Sequence, residues 1–348
     1  MSAMPNSHQA LLKNRECVSG RLALIGPTDP GLLQQIAGDG LAMTENMGIF
    51  GLLQANEPWT VSFGYDHPAL VPDCADTVVI FVPKSRAEMS MRLALARSLT
   101  RKNGRVIVVG EKKEGIAGAV RQLRELFPQS EKIDSVRHCQ VWQADTLPPS
   151  PAFRVSDWLQ WHGVEHGSIR LDVAALPGIF SDGELDAGTA MLLDTLGRIP
   201  LDSGRILDFG CGAGVIGCWW QRLQAQRGDP ISSVDGVDAQ FQAVACARAT
   251  YNRAGAEGNI IASDGLANVE GQYQSVVTNP PFHSGIRTDT SVTERFLQGI
   301  NRHLVKGGEL RLVANRFLPY QALIRQHLGP VKVLAEDHRF TVWSARKG

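Results

Sequence analysis

Short β-branched and apolar runs alternate with longer amphipathic segments along most of the chain. In the first half the short runs cover residues 21–25, 77–82 and 105–109, while segments 86–100 and 115–127 carry apolar side chains at helical spacing. Strands that alternate with helices are typical of a parallel sheet with helices on its faces. The pattern therefore predicts an α/β fold.

The same order of segments returns in the second half of the chain. Residues 78–83 and 276–281 are each followed by a helical segment, a glycine turn and a further strand. We interpret this repeat as a degenerate internal duplication of one α/β unit. The last two apolar runs, 331–334 and 340–343, are typical of a hairpin, which predicts an antiparallel edge on a mostly parallel sheet.

The join between the two halves is marked by prolines. Residues 147–151 contain three prolines in five positions, which excludes a helix and favours an extended connection. We therefore expect one domain over residues 1–150 and a second over residues 151–348.

The composition allows two cores and excludes several classes of protein. Of the 348 residues 43% are hydrophobic, and Lys+Arg and Asp+Glu are both 35, so a large non-specific grip on nucleic acid is not expected from net charge. The six cysteines form no C-x-x-C pair, which argues against a zinc site or disulfide framework and favours a reduced, cytoplasmic protein. No apolar run reaches the roughly 18 residues of a membrane span.

A glycine-rich turn follows a predicted strand in the second half. Asp208 is followed by Gly210, Gly212 and Gly214, which let the backbone approach a ligand at a helix N-terminus. Counting on to Gly217, the loop also fits the dinucleotide fingerprint, so an NAD-linked oxidoreductase is an alternative. S-adenosylmethionine is favoured because the Asp208 carboxylate could hold a cationic methionine end, whereas it would face a pyrophosphate unfavourably.

Two further strands of this half end near carboxylates. Asp238 is the expected acceptor for both ribose hydroxyls of the donor, and Asp235 is its competitor for that role. Asp264 follows the next strand and could contact the adenine amino group, or could simply cap a turn.

The candidate chemistry lies in the turn Asn279-Pro280-Pro281-Phe282. Prolines cannot continue a strand, so the strand must stop at Asn279, at the carboxyl edge where open α/β sheets bind ligands. The amide oxygen of Asn279 and the carbonyl of Pro280 are two acceptors, and the ring of Phe282 is a stacking platform. Together they suit a planar base with an exocyclic NH2 group, and we predict a methyltransferase that acts on such a nitrogen.

The turn alone leaves the acceptor open. A guanine N2, an adenine N6 or a glutamine side-chain amide would all suit it. His283 follows the turn and is a candidate general base, but an attacked amine is acidic and loses its proton readily, so we expect positioning to dominate catalysis. A non-catalytic RNA-binding or chaperone module is a further alternative.

A run of basic residues lies along the predicted helix of the first half and could track RNA phosphates. A solvated helix face would have the same pattern. The residues of this basic run are Lys84, Arg86, Arg92, Arg97 and Arg101. The first half has no glycine triplet after its first strand, so we do not expect it to hold a nucleotide.

Taken in order, the Asp208 to Gly214 loop, Asp238, Asp264 and the Asn279 to Phe282 turn resemble class I S-adenosylmethionine-dependent methyltransferases of exocyclic amines. Residues 176–181 and 307–320 bring the chain closer to the bacterial ribosomal RNA small subunit methyltransferase C family. This resemblance implies two tandem Rossmann-like class I methyltransferase domains, of which the N-terminal one is degenerate and only the second binds S-adenosylmethionine.

The same resemblance implies methyl transfer to a guanine N2 of 16S ribosomal RNA. It assigns Asn279, Pro280 and Phe282 to the target base, and the Gly210 loop with Asp238 to the donor. We further expect a monomeric enzyme that acts on assembled 30S particles and needs no metal.

Overall fold

The computed structural model describes residues 3–36, 38–145, 152–179, 185–280 and 290–348, except for the side chains of residues 290–293. The chain divides into two compact units, residues 1–158 and 159–348. The predicted linker, residues 147–151, lies outside the described residues.

The first unit is a seven-stranded sheet with the order β3-β2-β1-β4-β5-β7-β6. Its strands are β1 (Leu22–Ile25), β2 (Gly40–Thr44), β3 (Thr60–Phe63), β4 (Ala75–Phe81), β5 (Thr100–Glu111), β6 (Glu131–Val136) and β7 (Cys139–Asp145). Its helices are α1 (Asn6–Lys13), α2 (Pro30–Gln35), α3 (Met47–Leu53), α4 (Arg86–Leu99) and α5 (Ile116–Leu126). Strands β1 to β5 are parallel, and β7 and β6 add an antiparallel edge.

The second unit opens with a hairpin and repeats that sheet, in the order β12-β11-β10-β13-β14-β16-β15. The hairpin strands are β8 (Gln160–His166) and β9 (Ile169–Ala175), and the sheet consists of β10 (Ile206–Phe209), β11 (Val234–Asp238), β12 (Ile260–Ala262), β13 (Tyr273–Thr278), β14 (Leu304–Asn315), β15 (Val331–Glu336) and β16 (Phe340–Arg346). The helices are α6 (Ala187–Arg198), α7 (Val215–Arg227), α8 (Phe241–Ala254), α9 (Thr290–His303) and α10 (Tyr320–Leu328).

The two sheets match in detail as well as in strand order. The pairing of β4 with β5 shifts register between Ala75 and Thr77, and that of β13 with β14 shifts between Tyr273 and Ser275, at the equivalent place. The predicted α/β fold with a mostly parallel sheet, an antiparallel edge and a tandem repeat is therefore confirmed.

Each face of the second sheet has its own core. Ile206 packs on one side with Trp219 and Val277, while Leu207 packs on the other with Val276 and Leu310 and their neighbours. This alternation follows from the period-2 geometry of strands whose two faces are both covered by helices. None of the described helices has both the length and the apolar character that crossing a lipid bilayer demands.

Candidate active site

The glycine loop follows β10, an inner strand of the second sheet that lies between β11 and β13. Gly210, Gly212 and Gly214 have φ angles of 72°, 53° and 80°, which side chains with a Cβ rarely adopt. At Gly214 an added Cβ would also lie 2.9 Å from the ring of Tyr251. The loop and the N-terminus of α7 thus lie at the carboxyl edge of the sheet, where backbone N–H groups of a helix start can bind a ligand.

Asp238 ends β11 beside this loop. One carboxylate oxygen accepts the N–H of Gly212 at 3.1 Å, and the other accepts the N–H of Gln240 at 2.9 Å. Burial raises the pKa of Asp238, and these backbone donors oppose that rise. The half-buried carboxylate retains lone pairs for a further donor such as a ribose hydroxyl.

Asp235 has a different role. Its carboxylate is buried and is bonded to the Arg205 guanidinium at 2.7 Å and to the Tyr273 hydroxyl at 3.0 Å. Its second oxygen accepts the N–H of Asn259 at 2.8 Å. Of the two acids, only Asp238 lies at the strand end beside the loop.

Asp208 is wholly buried below the loop. Neither of its carboxylate oxygens has a hydrogen-bond partner among the described residues. Burial, with a smaller contribution from the charge of Asp238, raises the pKa of Asp208 to about 8. A buried acid without a partner suits a ligand that brings positive charge. Asp264 lies exposed in the turn after β12, and its contact with an adenine amino group stays a prediction.

The Asn279 turn begins where β13 ends. Phe209 of β10 pairs with Thr278 of β13, so Gly210 and Asn279 follow neighbouring strands at the same edge. Pro280 is buried beside Asn279. Phe282 and His283 lie outside the described residues, and their roles stay predictions.

The side chain of Asn279 is bonded to the start of α6. Its Nδ2 lies 3.1 and 3.2 Å from the two carboxylate oxygens of Asp186, and 2.9 Å from Oγ1 of Thr189. Because a carboxylate only accepts, the NH2 end of the amide must face α6. Sequence reasoning missed Asp186 and Thr189 as site residues. The available signal was an Asp placed before an apolar helix, which is the pattern of a helix cap.

The predicted basic run on α4 needs one correction. Arg92 is only 7% exposed, and its guanidinium donates to the carboxylate of Glu45 at 2.9 and 2.8 Å, to Glu88 at 2.8 Å and to the carbonyl of Phe81. A side chain enclosed in this way cannot reach a phosphate on the surface, so the prediction for Arg92 was wrong.

The other four basic residues are accessible to different degrees. Lys84 and Arg86 are exposed at the start of α4, and Arg97 is half-buried near its end. Arg101, on β5, forms an ion pair with Asp76 at 3.0 Å. Contact of these four residues with RNA stays a prediction.

Arg92 fills the place in the first unit that corresponds to the glycine loop. Gly26 follows β1 and donates its N–H to the carbonyl of Met43 at 2.8 Å, as Gly210 donates to that of Val237 at 2.8 Å. A Cβ added to Gly26 would collide with the Arg92 guanidinium. The first unit therefore keeps the backbone of a donor site and closes it with its own side chains.

The strand order, the glycine loop after the first strand and the acid after the second define the class I methyltransferase fold. The family model of the methyltransferase small domain matches residues 170–344 of this chain. The family model of the N-terminal methyltransferase small domain matches residues 8–162.

Relatives that match over nearly the whole chain narrow this class. The Pseudomonas fluorescens ribosomal RNA small subunit methyltransferase C is 37% identical, covering 99% of this chain and 100% of the relative. The protein of that name from Hahella chejuensis is 36% identical over 99% of both chains. The chain belongs to the ribosomal RNA small subunit methyltransferase C family.

A solved structure supports the fold. The T. thermophilus 16S rRNA N2 G1207 methyltransferase, in complex with AdoMet and guanosine, superposes with a TM-score of 0.82 at 22% identity, covering 99% of this chain and 93% of that one. The relatives together with this shared fold confirm the resemblance inferred from the motifs.

Proposed function

We propose that this chain transfers the methyl group of S-adenosylmethionine to the exocyclic N2 of a guanine in 16S ribosomal RNA. The observation that carries the proposal is the amide of Asn279 beside the Gly210 loop: its NH2 end is held toward α6, and its oxygen accepts no hydrogen bond from the described part of the chain. The names of the relatives favour ribosomal RNA over a protein glutamine as the acceptor, and the T. thermophilus 16S rRNA N2 G1207 methyltransferase, solved with guanosine, favours guanine over adenine.

The residues of the second unit fit the donor. Asp238 would accept from the ribose hydroxyls, Asp264 would meet the adenine amino group, and the loop backbone would line the methionine part. The unpartnered carboxylate of Asp208 lies below the loop and would be favoured by the positive charge that this donor carries. When bound, S-adenosylmethionine supplies a methyl group activated by a sulfonium.

The site would act on the acceptor by positioning and electrostatics. The N2 amine would donate to Oδ1 of Asn279 and to the carbonyl of Pro280, which aims its lone pair at the methyl carbon. As the N–C bond forms, the electron pair of the C–S bond returns to sulfur and positive charge develops on N2. The two acceptors stabilise that charge, and N2 then loses a proton to solvent.

The test is methyl transfer to unmodified RNA. Radiolabelled S-adenosylmethionine is supplied with 16S RNA transcribed in vitro and, separately, with 30S particles reconstituted from that RNA, followed by nucleoside mapping. We expect N2-methylguanosine, with the assembled particle as the better substrate and the enzyme monomeric by light scattering. Label in N6-methyladenosine, label in protein glutamine, or no label at all would contradict the proposal.

We propose that the first unit contributes to RNA binding through Lys84, Arg86, Arg97 and Arg101. The exposure of Lys84 and Arg86 supports this role. Replacing both with alanine is expected to weaken 30S binding and to reduce its log–log salt slope by about 1 to 2, because each phosphate contact releases counterions. Binding measured between 50 and 200 mM salt checks this, with Lys332→Ala, exposed on β15, as the control. An unchanged slope would remove Lys84 and Arg86 from the RNA interface.

A further inference from the structure

The amide of Asn279 is held by two residues at the N-terminus of α6, Asp186 and Thr189, which we call the amide clamp. The carboxylate of Asp186 lies 3.1 and 3.2 Å from Nδ2, and the hydroxyl oxygen of Thr189 lies 2.9 Å from it. Nδ2 has two protons, so both have a partner. The clamp therefore leaves Oδ1 as the group that Asn279 offers to a substrate.

The clamp is itself fixed in place by α6. Asp186 is the N-cap of this helix and accepts the N–H groups of Gly188 at 2.9 Å and Thr189 at 3.1 Å. The hydroxyl of Thr189 donates to Asp186 at 2.6 Å, so its lone pairs are left to accept from Asn279. Each proton in the network has one consistent direction, and reversing the Asn279 amide would place its oxygen against a carboxylate.

The clamp also has little room to rearrange. A Cβ added to Gly188 would lie 3.1 Å from Oδ1 of Asp186 and 3.4 Å from Nδ2 of Asn279. In a partly buried site, a carboxylate at the NH2 end polarises the amide and increases the electron density on its oxygen. The oxygen of Asn279 is then both aimed and strengthened as an acceptor.

We propose that Asp186 and Thr189 are positioning residues for methyl transfer, which act through Asn279 and do not touch the substrate. This inference rests on the proposed function, in which Oδ1 of Asn279 accepts from the N2 amine. The clamp would fix that oxygen before the RNA arrives, so little reorganisation is left for the reaction itself.

Asp186→Asn separates positioning from helix capping. Asparagine caps helices about as well as aspartate, so α6 and the melting temperature should change little. The new amide cannot restrain Nδ2 as a carboxylate does, and we expect kcat on 30S particles to fall about 10- to 100-fold, the order of loss that a misplacement of about 1 Å can cause. The affinity for S-adenosylhomocysteine, measured by calorimetry, should not change.

A second pair of variants tests the other half of the clamp. Thr189→Val removes the acceptor oxygen while keeping the shape, and is expected to lower kcat in the same way. Thr189→Ser restores the oxygen and should recover most of that loss. The matched control is Asp29→Asn, since Asp29 caps α2 of the first unit by accepting from Gly31 at 2.8 Å; this variant should keep the wild-type rate.

The outcomes distinguish this inference from the proposed function. Wild-type kcat in both Asp186→Asn and Thr189→Val, with Asn279→Ala inactive, would overturn the clamp and leave the function standing. A drop in kcat that merely follows a drop in melting temperature would also overturn it. Full activity of Asn279→Ala would overturn the proposed function itself.

A different observation concerns an exposed surface of the second unit that carries Phe317, Arg339 and Phe340. Phe317, just beyond the end of β14, is 79% exposed, which is rare for a phenylalanine. The residue before Phe317 is Arg316, whose N–H donates to the carbonyl of Arg339 at 2.9 Å. The guanidinium carbon of Arg339 lies 5.0 Å from the ring centre of Phe340.

Phe340 connects this surface to the clamp. A Cβ added to Gly188 would lie 3.3 Å from the Phe340 ring and 3.4 Å from Nδ2 of Asn279. Phe340, Arg339 and Phe317 therefore follow one another outward from the site, and all belong to the second unit. The guanidinium of Arg316 lies 3.5 Å from Glu336, and the exposed Arg339 is a further cation of this surface.

The geometry points to Phe317 as a stacking platform for an unpaired RNA base next to the target guanine, with Arg339 on the adjoining phosphate. An aromatic ring beside a cation is the arrangement that binds single-stranded RNA. This inference also rests on the proposed function, because it takes the substrate to be RNA.

Three variants of Phe317 test the stacking. Phe317→Ala should raise the KM for 30S particles on the order of tenfold, with kcat at saturation and S-adenosylhomocysteine affinity unchanged. Phe317→Leu should lose as much, because it is apolar but cannot stack, and Phe317→Trp should retain the wild-type KM. Ile231→Ala, an exposed residue before β11, is the control. An unchanged KM in Phe317→Ala, or a wild-type KM in Phe317→Leu, would overturn the stacking. Absence of methylation by the wild type would instead count against the proposed function.

Discussion

Asn279→Ala is expected to lower the single-turnover rate of methyl transfer about 100- to 1,000-fold, the loss seen when one preorganised dipole is removed from an active site. The variant deletes the acceptor that would stabilise charge on N2 and leaves the carboxylate of Asp186 without one of its donors. Asn279→Asp should be at least as poor, because two carboxylates would then lie about 3 Å apart. Rates are measured on 30S particles saturated with enzyme and donor.

Two companion measurements make this result specific. Binding of S-adenosylhomocysteine should be retained in Asn279→Ala, because the donor residues lie on β10 and β11, in the loop after β10 and in the turn after β12. Asn252→Ala, at an exposed position on α8, should methylate at the wild-type rate. A wild-type rate for Asn279→Ala would remove the turn from the chemistry.

Arg92→Met is expected to lower the free energy of unfolding by about 3–5 kcal/mol, the usual cost of leaving one member of a buried ion pair without its partner. The side chains of Arg92 and Glu45 are only 9% and 5% exposed, so water cannot replace the lost guanidinium. Urea unfolding, followed by a probe in the first unit, measures the change. The activity of the folded fraction should be largely retained, because Arg92 and Glu45 belong to the first unit and the donor loop belongs to the second.

A matched pair of variants tests the cause of this loss. Arg101→Met breaks an ion pair whose side chains are 42% and 40% exposed, and should cost at most about 1 kcal/mol. Adding Glu45→Gln to Arg92→Met removes the uncompensated charge and should restore part of the stability. If Arg92→Met unfolded like the wild type but bound RNA more weakly, the buried placement of Arg92 would be wrong.

Strands β4 and β13 were predictable from the sequence, and β2 was not. The runs that became β4 and β13 are rich in valine and end at prolines, so their type and their ends follow from local constraints. β2, Gly40–Thr44, lacks such a run. It becomes a strand because β1 and β3 pair with it on either side, a tertiary effect that overrides weak propensity.

The error on Arg92 has a geometric cause. Arg92 is six residues after Arg86, which at about 100° per residue places it on another side of the helix. A basic side chain on that inner side needs an acid, and the acid is Glu45, 47 residues earlier in the chain. A list of charges along the helix contains neither the direction of the side chain nor the distant partner.

The sequence by itself determined where the chain turns and which groups those turns display. Prolines stop the strand at Asn279, glycines shape the loop from Gly210, and Asp238 follows its strand, because each is a local constraint on the backbone. Tertiary structure alone decided how these groups are held. It brings Asp186 to Asn279 across 93 residues and encloses Arg92, because both pairings depend on which strands and helices become neighbours in the folded sheet.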